Sequence, residues 1–208
     1  MAQQTETPLR VRRLLKQDIE QVAALYAAAG RDAIWADDAA LRTLLLYGEL
    51  WGGFHSVVLT VCGGLCPIDA PTPLAAAARE TDLFHADTVL LLPPAGNAQD
   101  AARLTEILLA RALQRSIAAA PAALIPVKTG APFLQGCFAA HLVLTAVRPL
   151  VFLRPNYIFT APEGVQTDGE NSIMVAVQET LALSRRLASD WRGTALLGNE
   201  IRMEKIER

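Results

Sequence analysis

Apolar residues recur along this chain in two periods. Between Asp18 and Ala29, Ile19, Val22, Ala23, Leu25 and Tyr26 return every three or four positions, the spacing of one helix face, and Gly30 follows as a stop. The same spacing predicts a helix from Asp37 or Asp38 to Tyr47, with Leu41, Leu44 and Leu45 inward, aspartates at its positive end and Gly48 closing it. A longer helix, about Gln99 to Ala119, carries Leu104, Ile107, Leu108, Ala112 and Leu113 on one side, and Pro121 ends it. Further helices are expected over Ala131–His141, beginning near Pro132, and over Glu179–Ser189.

Strands show as shorter runs. Leu9–Leu14 alternates apolar and basic residues, and Gly52–Gly64 holds Phe54, Val57, Val58, Leu59, Val61 and Cys62 between glycine pairs, enough for one or two buried strands. Asp87–Leu92 is an unbroken apolar run, as in a central strand covered on both faces, and is expected to stop at Pro93-Pro94. Leu124–Val127 and Leu142–Phe152, the latter interrupted by Pro149, complete a β, α, β, α, β order. Pro67–Asp82, with three prolines before Leu74–Arg79, reads as a surface loop holding a short helix, and Pro155–Asn171 as a loop. Thr194–Leu197 and Glu200–Met203 can pair around Gly198-Asn199, so the tail reads as a small α/β addition.

Composition narrows the function classes. The 208 residues suit one main core, and 52% hydrophobic with 19% charged residues is a folding composition. A net charge of −2 gives no polyelectrolyte signature for nucleic acid or an anionic membrane surface. No apolar run reaches the ~18 residues that span a bilayer, and Met1–Pro8 is polar, so a cytoplasmic protein is expected. Three cysteines, Cys62, Cys66 and Cys137, argue against a disulfide framework. There is no 20–50-residue repeat, Ser-His-Asp order, Walker loop or dinucleotide fingerprint.

The most informative junction is the central strand that passes through Gly96-Asn97 into a helix. It gathers free N–H groups and a positive dipole end, which can cradle a phosphate or be a plain turn. Element order decides between them. Leu14-Leu15-Lys16-Gln17-Asp18-Ile19-Glu20 through Tyr26, His85–Pro93, Ala95–Asp100, Phe133–Val143 and Val147–Pro155 together resemble the GCN5-related N-acetyltransferase (GNAT) superfamily. They match its opening strand and helix, fourth strand, pyrophosphate loop, fourth helix and following strand, over about residues 9–155.

The resemblance implies an α/β (α+β) fold with a mixed, largely antiparallel central sheet flanked by helices. It divides the chain into an acyl-CoA-binding domain, 1–155, and a C-terminal α/β extension, 156–208, packed on it. It further implies an acyltransferase in which an amine of a small molecule or peptide attacks the thioester of acetyl-CoA or another acyl-CoA directly. The alternative is a catalytically degenerate member serving as a binding or interaction module. The cofactor would lie on Leu90, Leu91, Leu92, Gly96, Asn97, Ala98, Gln99 and Asp100, where the sheet splays near Leu124–Val127. Asp87 and His85, two apart at the start of the central strand, are the candidate bases.

Departures from the family pattern fall at the site. Ala95 replaces the loop arginine, Ala98 the middle glycine and Leu142-Val143 a Gly-Phe pair, while Phe138 stands where a tyrosine acid is expected. Loss of an arginine removes a bidentate partner contributing about 1.5–3 kcal/mol. Cys137 reads as a core residue, His141 as a helix-end residue favoured by the dipole, and Trp191 either as a lid over the acceptor pocket or, as such aromatics more often are, an anchor of the final hairpin. Cys62, Cys66 and His55 lack a fourth ligand at zinc spacing, so no metal is expected. Edge strands and apolar richness allow a homodimer.

Overall fold

The computed structural model describes residues 8–28, 38–115, 120–126, 131–150, 154–162 and 166–207. The chain runs β1 Arg10–Arg13, a 3-10 turn Lys16–Asp18, α1 Ile19–Ala28, α2 Asp38–Tyr47, β2 Glu49–His55, β3 Val58–Pro67 and α3 Pro73–Arg79. It continues β4 Thr88–Gly96, α4 Ala98–Arg115, β5 Ala120–Pro126, α5 Ala131–Ala139, β6 Val143–Leu150 and β7 Arg154–Thr160. Last come β8 Thr167–Ala176, α6 Thr180–Leu187, β9 Trp191–Leu197 and β10 Glu200–Ile206.

All ten strands form one sheet in the order β1-β2-β3-β4-β5-β7-β6-β9-β10-β8. Among the registered pairs only β4 and β5 are parallel, as expected where α4 supplies the crossover. Alternation along β4 feeds two cores. Leu90 and Leu92 pack with Val22, Leu41 and Leu74 from α1, α2 and α3. Leu91 packs on the other face with Leu104, Leu108, Cys137 and Leu183 from α4, α5 and α6. A mixed, largely antiparallel sheet with helices on both faces is what the sequence led us to expect.

The N-terminal turn shows why Asp18 stands where α1 begins. Its carboxylate accepts two bonds from Arg12, at 2.9 and 3.0 Å, and one from the Leu15 amide at 2.8 Å. The Arg12 hydrogen bond holds this carboxyl below its ordinary range, against the opposing effect of burial.

Several expectations need correction. β4 runs through Pro93-Pro94 to Gly96, because Gly64 pairs with Leu92 and Cys62 with Ala95, leaving both prolines opposite Gly63 alone. At such a bulge a missing N–H breaks no ladder bond. β6 likewise runs through Pro149, opposite Pro155, at an end where its register with β9, confined to Leu144↔Gly193, leaves one side open. The short helix α3 is no surface insertion: Leu74, Ala75, Ala77 and Ala78 are buried, and Thr72 caps it by accepting from the Ala75 amide at 3.2 Å. Within the stretch read as a loop, residues 155–160 and 167–171 are strand. They supply β7, held between β5 and β6 with Tyr157, Ile158 and Phe159 buried, and the start of β8. On α4, Leu109 is in the core and Ile107 only half-buried. Ala29, Gly30, Asp37, residues 116–119, Val127 and residues 151–153 lie outside the described residues.

Candidate functional site

The β4–β5 ladder runs from Thr88↔Ala120 to Leu91↔Ala123 and stops. Beyond it β4 follows β3, pairing Ala95 with Cys62 and Gly96 with Val61, while β5 follows β7 from Ala123↔Phe159 to Pro126↔Asn156. The two strands therefore part after Leu91. The wedge has residues 92–96 on one side and 124–126 on the other, and it points at the first turn of α4.

Gly96 makes that turn possible. Its φ is +137°, and a Cβ there would lie 2.2 Å from the Thr60 carbonyl oxygen and 2.7 Å from Val61 Cα. Asn97 is the N-cap of α4: its Oδ1 accepts from the Asp100 amide at 2.9 Å, and its Nδ2 donates to Asp100 Oδ2 at 2.5 Å. The Asp100 carboxylate also accepts from Thr60 Oγ1 at 2.8 Å and from His55 Nε2 at 3.0 and 3.1 Å. Burial alone would raise the Asp100 pKa. Hydrogen bonds from Asn97, Thr60 and His55 outweigh it and hold the carboxyl below its ordinary value. An ionised carboxylate only accepts, so His55 Nε2 carries the proton.

The first turn of α4 therefore already holds an anion, the chain's own. Asp100 is buried, with its side chain only 10% exposed, and it takes the dipole stabilisation of about 0.3–1 kcal/mol that a bound anion would otherwise gain. A phosphate charge brought to this turn would meet the like charge of that carboxylate, which His55 offsets only when its ring is protonated. Ala95, where an arginine would offset this, is fully buried in the core. A diphosphate thus does not fit this turn. The wedge itself, an opening flanked by main chain, does suit an extended amide-bearing arm, although Pro93 and Pro94 have no N–H to give it.

The remaining sequence candidates scatter. Leu90, Leu91 and Leu92 are buried in the two cores, leaving only main chain to meet a ligand, whereas Asn97, Ala98 and Gln99 are exposed at the turn. His85 and Asp87 do not lie on the strand. They sit exposed in the preceding turn, where the Thr88 amide donates to the His85 carbonyl at 3.1 Å. Asp87 is four residues before the last β4–β5 pair, about 13 Å along the strand, so the structure does not bring these two to the wedge. Phe138 stacks edge-on against Phe159 at 5.1 Å. Cys137 is fully buried, which pushes its thiol well above the ordinary range. No group of three His, Cys, Asp or Glu suited to a metal occurs among the described residues.

Sequence reasoning missed His55 and Thr60 as partners of Asp100, because β2, β3 and α4 meet only through the sheet. A groove of about 580 Å³ is lined by Arg13–Lys16 and Ile19 at the start of α1 and by Arg42, Leu45 and Leu46 on α2.

No family model and no curated protein matches the sequence. Solved structures do match. An N-acetyltransferase from Staphylococcus aureus Mu50 aligns at TM-score 0.55 and 8% identity, over 74% of this chain and 97% of that one. Arabidopsis thaliana NAA60 in complex with acetyl-CoA aligns at 0.55 and 10%, over 74% and 97%. YncA from Salmonella typhimurium, with its cofactor acetyl-CoA, aligns at 0.53 and 17%, over 73% and 92%. Strand order, the parallel β4–β5 pair, the wedge and these alignments agree: the chain has the fold of the GCN5-related N-acetyltransferase superfamily.

Proposed function

We propose that the chain is an N-acyltransferase that moves an acyl group from a thioester to an amine of a small molecule or peptide. The observation that carries this reading is the wedge after Leu91, an opening in the middle of a sheet whose two strands are otherwise paired on both sides. In such a transfer the C–N bond forms as the C–S bond breaks, the ammonium proton goes to a base and the thiolate takes up a proton. Acyl-CoA is the donor that the fold suggests, and it would supply the thioester.

The chain's own part is to admit the arm between residues 92–96 and 124–126 and to shield it from water with the buried faces around Leu91 and Ala123. Placement of Asp87 and His85 outside the wedge leaves them without an assigned proton-transfer role. We further propose that residues 156–208 extend this same unit, since β9, β10 and β8 continue its sheet.

A second reading, a GNAT-fold module without catalysis, is favoured by the closed diphosphate turn, by Pro93-Pro94 and by Phe138. Thermal unfolding with millimolar acetyl-CoA or acetyl-pantetheine separates the two. A donor at 100 times its dissociation constant stabilises the fold by about 2.7 kcal/mol. A shift with either donor, followed by thiol release on adding amines, supports the enzyme, and no shift with both overturns it.

A further inference from the structure

We propose that the donor of this chain is recognised through its pantetheine arm alone, so that the adenosine diphosphate portion of CoA adds nothing to binding. This rests on the acyltransferase reading above. Three observations carry it. The wedge accepts an extended arm along main chain that β4 and β5 leave unpaired with each other. The turn beyond it, where a diphosphate would follow, is closed by Asp100, which three side chains from three different elements or turns hold in place: Asn97, Thr60 and His55. Gly96, whose lack of a side chain would otherwise suggest room left for a ligand, is required by the close approach of Thr60 and Val61.

Asp100 does not swing aside at small cost. It sits at the third position of α4, its own amide is bonded to Asn97, its Oδ2 accepts from Asn97, Thr60 and His55, and its Oδ1 accepts from His55. A diphosphate has therefore to displace or neutralise a buried anion before it can use the amides of Ala98 and Gln99. An acyl-pantetheine thioester has no such requirement, and the phosphopantetheine arm of a carrier protein brings a single phosphodiester charge to the turn where CoA brings a diphosphate.

The test is equilibrium binding of acetyl-pantetheine, acetyl-CoA and acetylated acyl carrier protein to the native chain and to Asp100→Asn, which keeps the side-chain shape. The native chain is expected to bind acetyl-pantetheine at least as tightly as acetyl-CoA. Asp100→Asn should tighten acetyl-CoA tenfold or more and leave acetyl-pantetheine within twofold. Tighter binding of the carrier protein than of the free arm identifies a tethered donor, and equal binding a free one. Tenfold tighter native binding of acetyl-CoA than of acetyl-pantetheine, or no gain in Asp100→Asn, overturns this inference and leaves the acyltransferase reading standing. Binding of none of the three overturns both. Asn97→Ala, which loosens Asp100 without removing it, should show a smaller gain for acetyl-CoA if the substituted aspartate fails to fold.

Discussion

Replacing Asp100 by alanine should destabilise the fold by about 3 kcal/mol at neutral pH. The carboxylate accepts from Asn97 Nδ2, Thr60 Oγ1 and His55 Nε2, and each hydrogen bond to a charged group contributes about 1.5–3 kcal/mol in favourable cases. The partners are not all stranded by its loss. Asn97 is exposed and His55, 37% exposed at its side chain, can rehydrate, while the Thr60 hydroxyl can turn to the Gly53 carbonyl at 3.3 Å. About 1 kcal/mol net per contact is therefore the better figure, with a few tenths more from the helix dipole. In a domain of this size each kcal/mol moves Tm by about 2–4 °C, so a fall of about 6–12 °C is expected by calorimetry or urea unfolding.

The pH dependence supplies the sharper check. The folded-state pKa of Asp100 lies below its unfolded value, so its contribution is present above the unfolded value and lost as pH falls through the folded one. The gap between native chain and Asp100→Ala should narrow in acid. A gap under 1 kcal/mol at pH 7, or one that stays constant down to pH 3, would refute the account of this turn.

Other expectations concern the frame around the site. Gly96→Ala should cost more than about 3 kcal/mol, because its Cβ meets the Thr60 backbone oxygen, whereas Gly198→Ala, with positive φ but open space, should cost only about 1–2; paired urea titrations measure both. Arg12→Ala leaves the buried Asp18 carboxylate with the Leu15 amide and should cost about 1–2 kcal/mol at pH 7, discounted because Arg12 is half exposed. That loss should shrink as pH falls through the depressed folded pKa of Asp18, as acid unfolding curves would show. Tyr157→Phe removes a buried bond to the Val177 carbonyl at 2.7 Å and should cost about 1–2 kcal/mol. Burial pushes the Tyr157 pKa up to about 12, so native stability should fall as pH rises above the ordinary value of 10.0, and the variant should lack that fall.

Helices α1, α2, α4 and α6 and strands β2, β3, β9 and β10 were legible in the chain because their information is local: apolar spacing, caps and glycine stops. Pro93-Pro94, Pro149 and the proline- and acid-rich stretch from Pro155 misled for the opposite reason. A proline breaks a strand only if its missing N–H faces a partner, and whether it does depends on register with strands far along the chain. β7 is held by β5 and β6, so its sequence carries little sign of its place.

The same division runs through the site. Gly96, Asn97 and Asp100 were recognisable as a turn at a helix start, and the order of elements pointed to the GNAT fold. That Asp100 turns inward to His55 and Thr60, and so fills the place of a phosphate, was decided by the packing of β2 and β3 against α4. The sequence by itself determined where helices and turns begin, since caps and periodicity act within a few residues. Only the tertiary structure decided which charges meet, because a carboxylate's partners are chosen by sheet register across 40 or more positions.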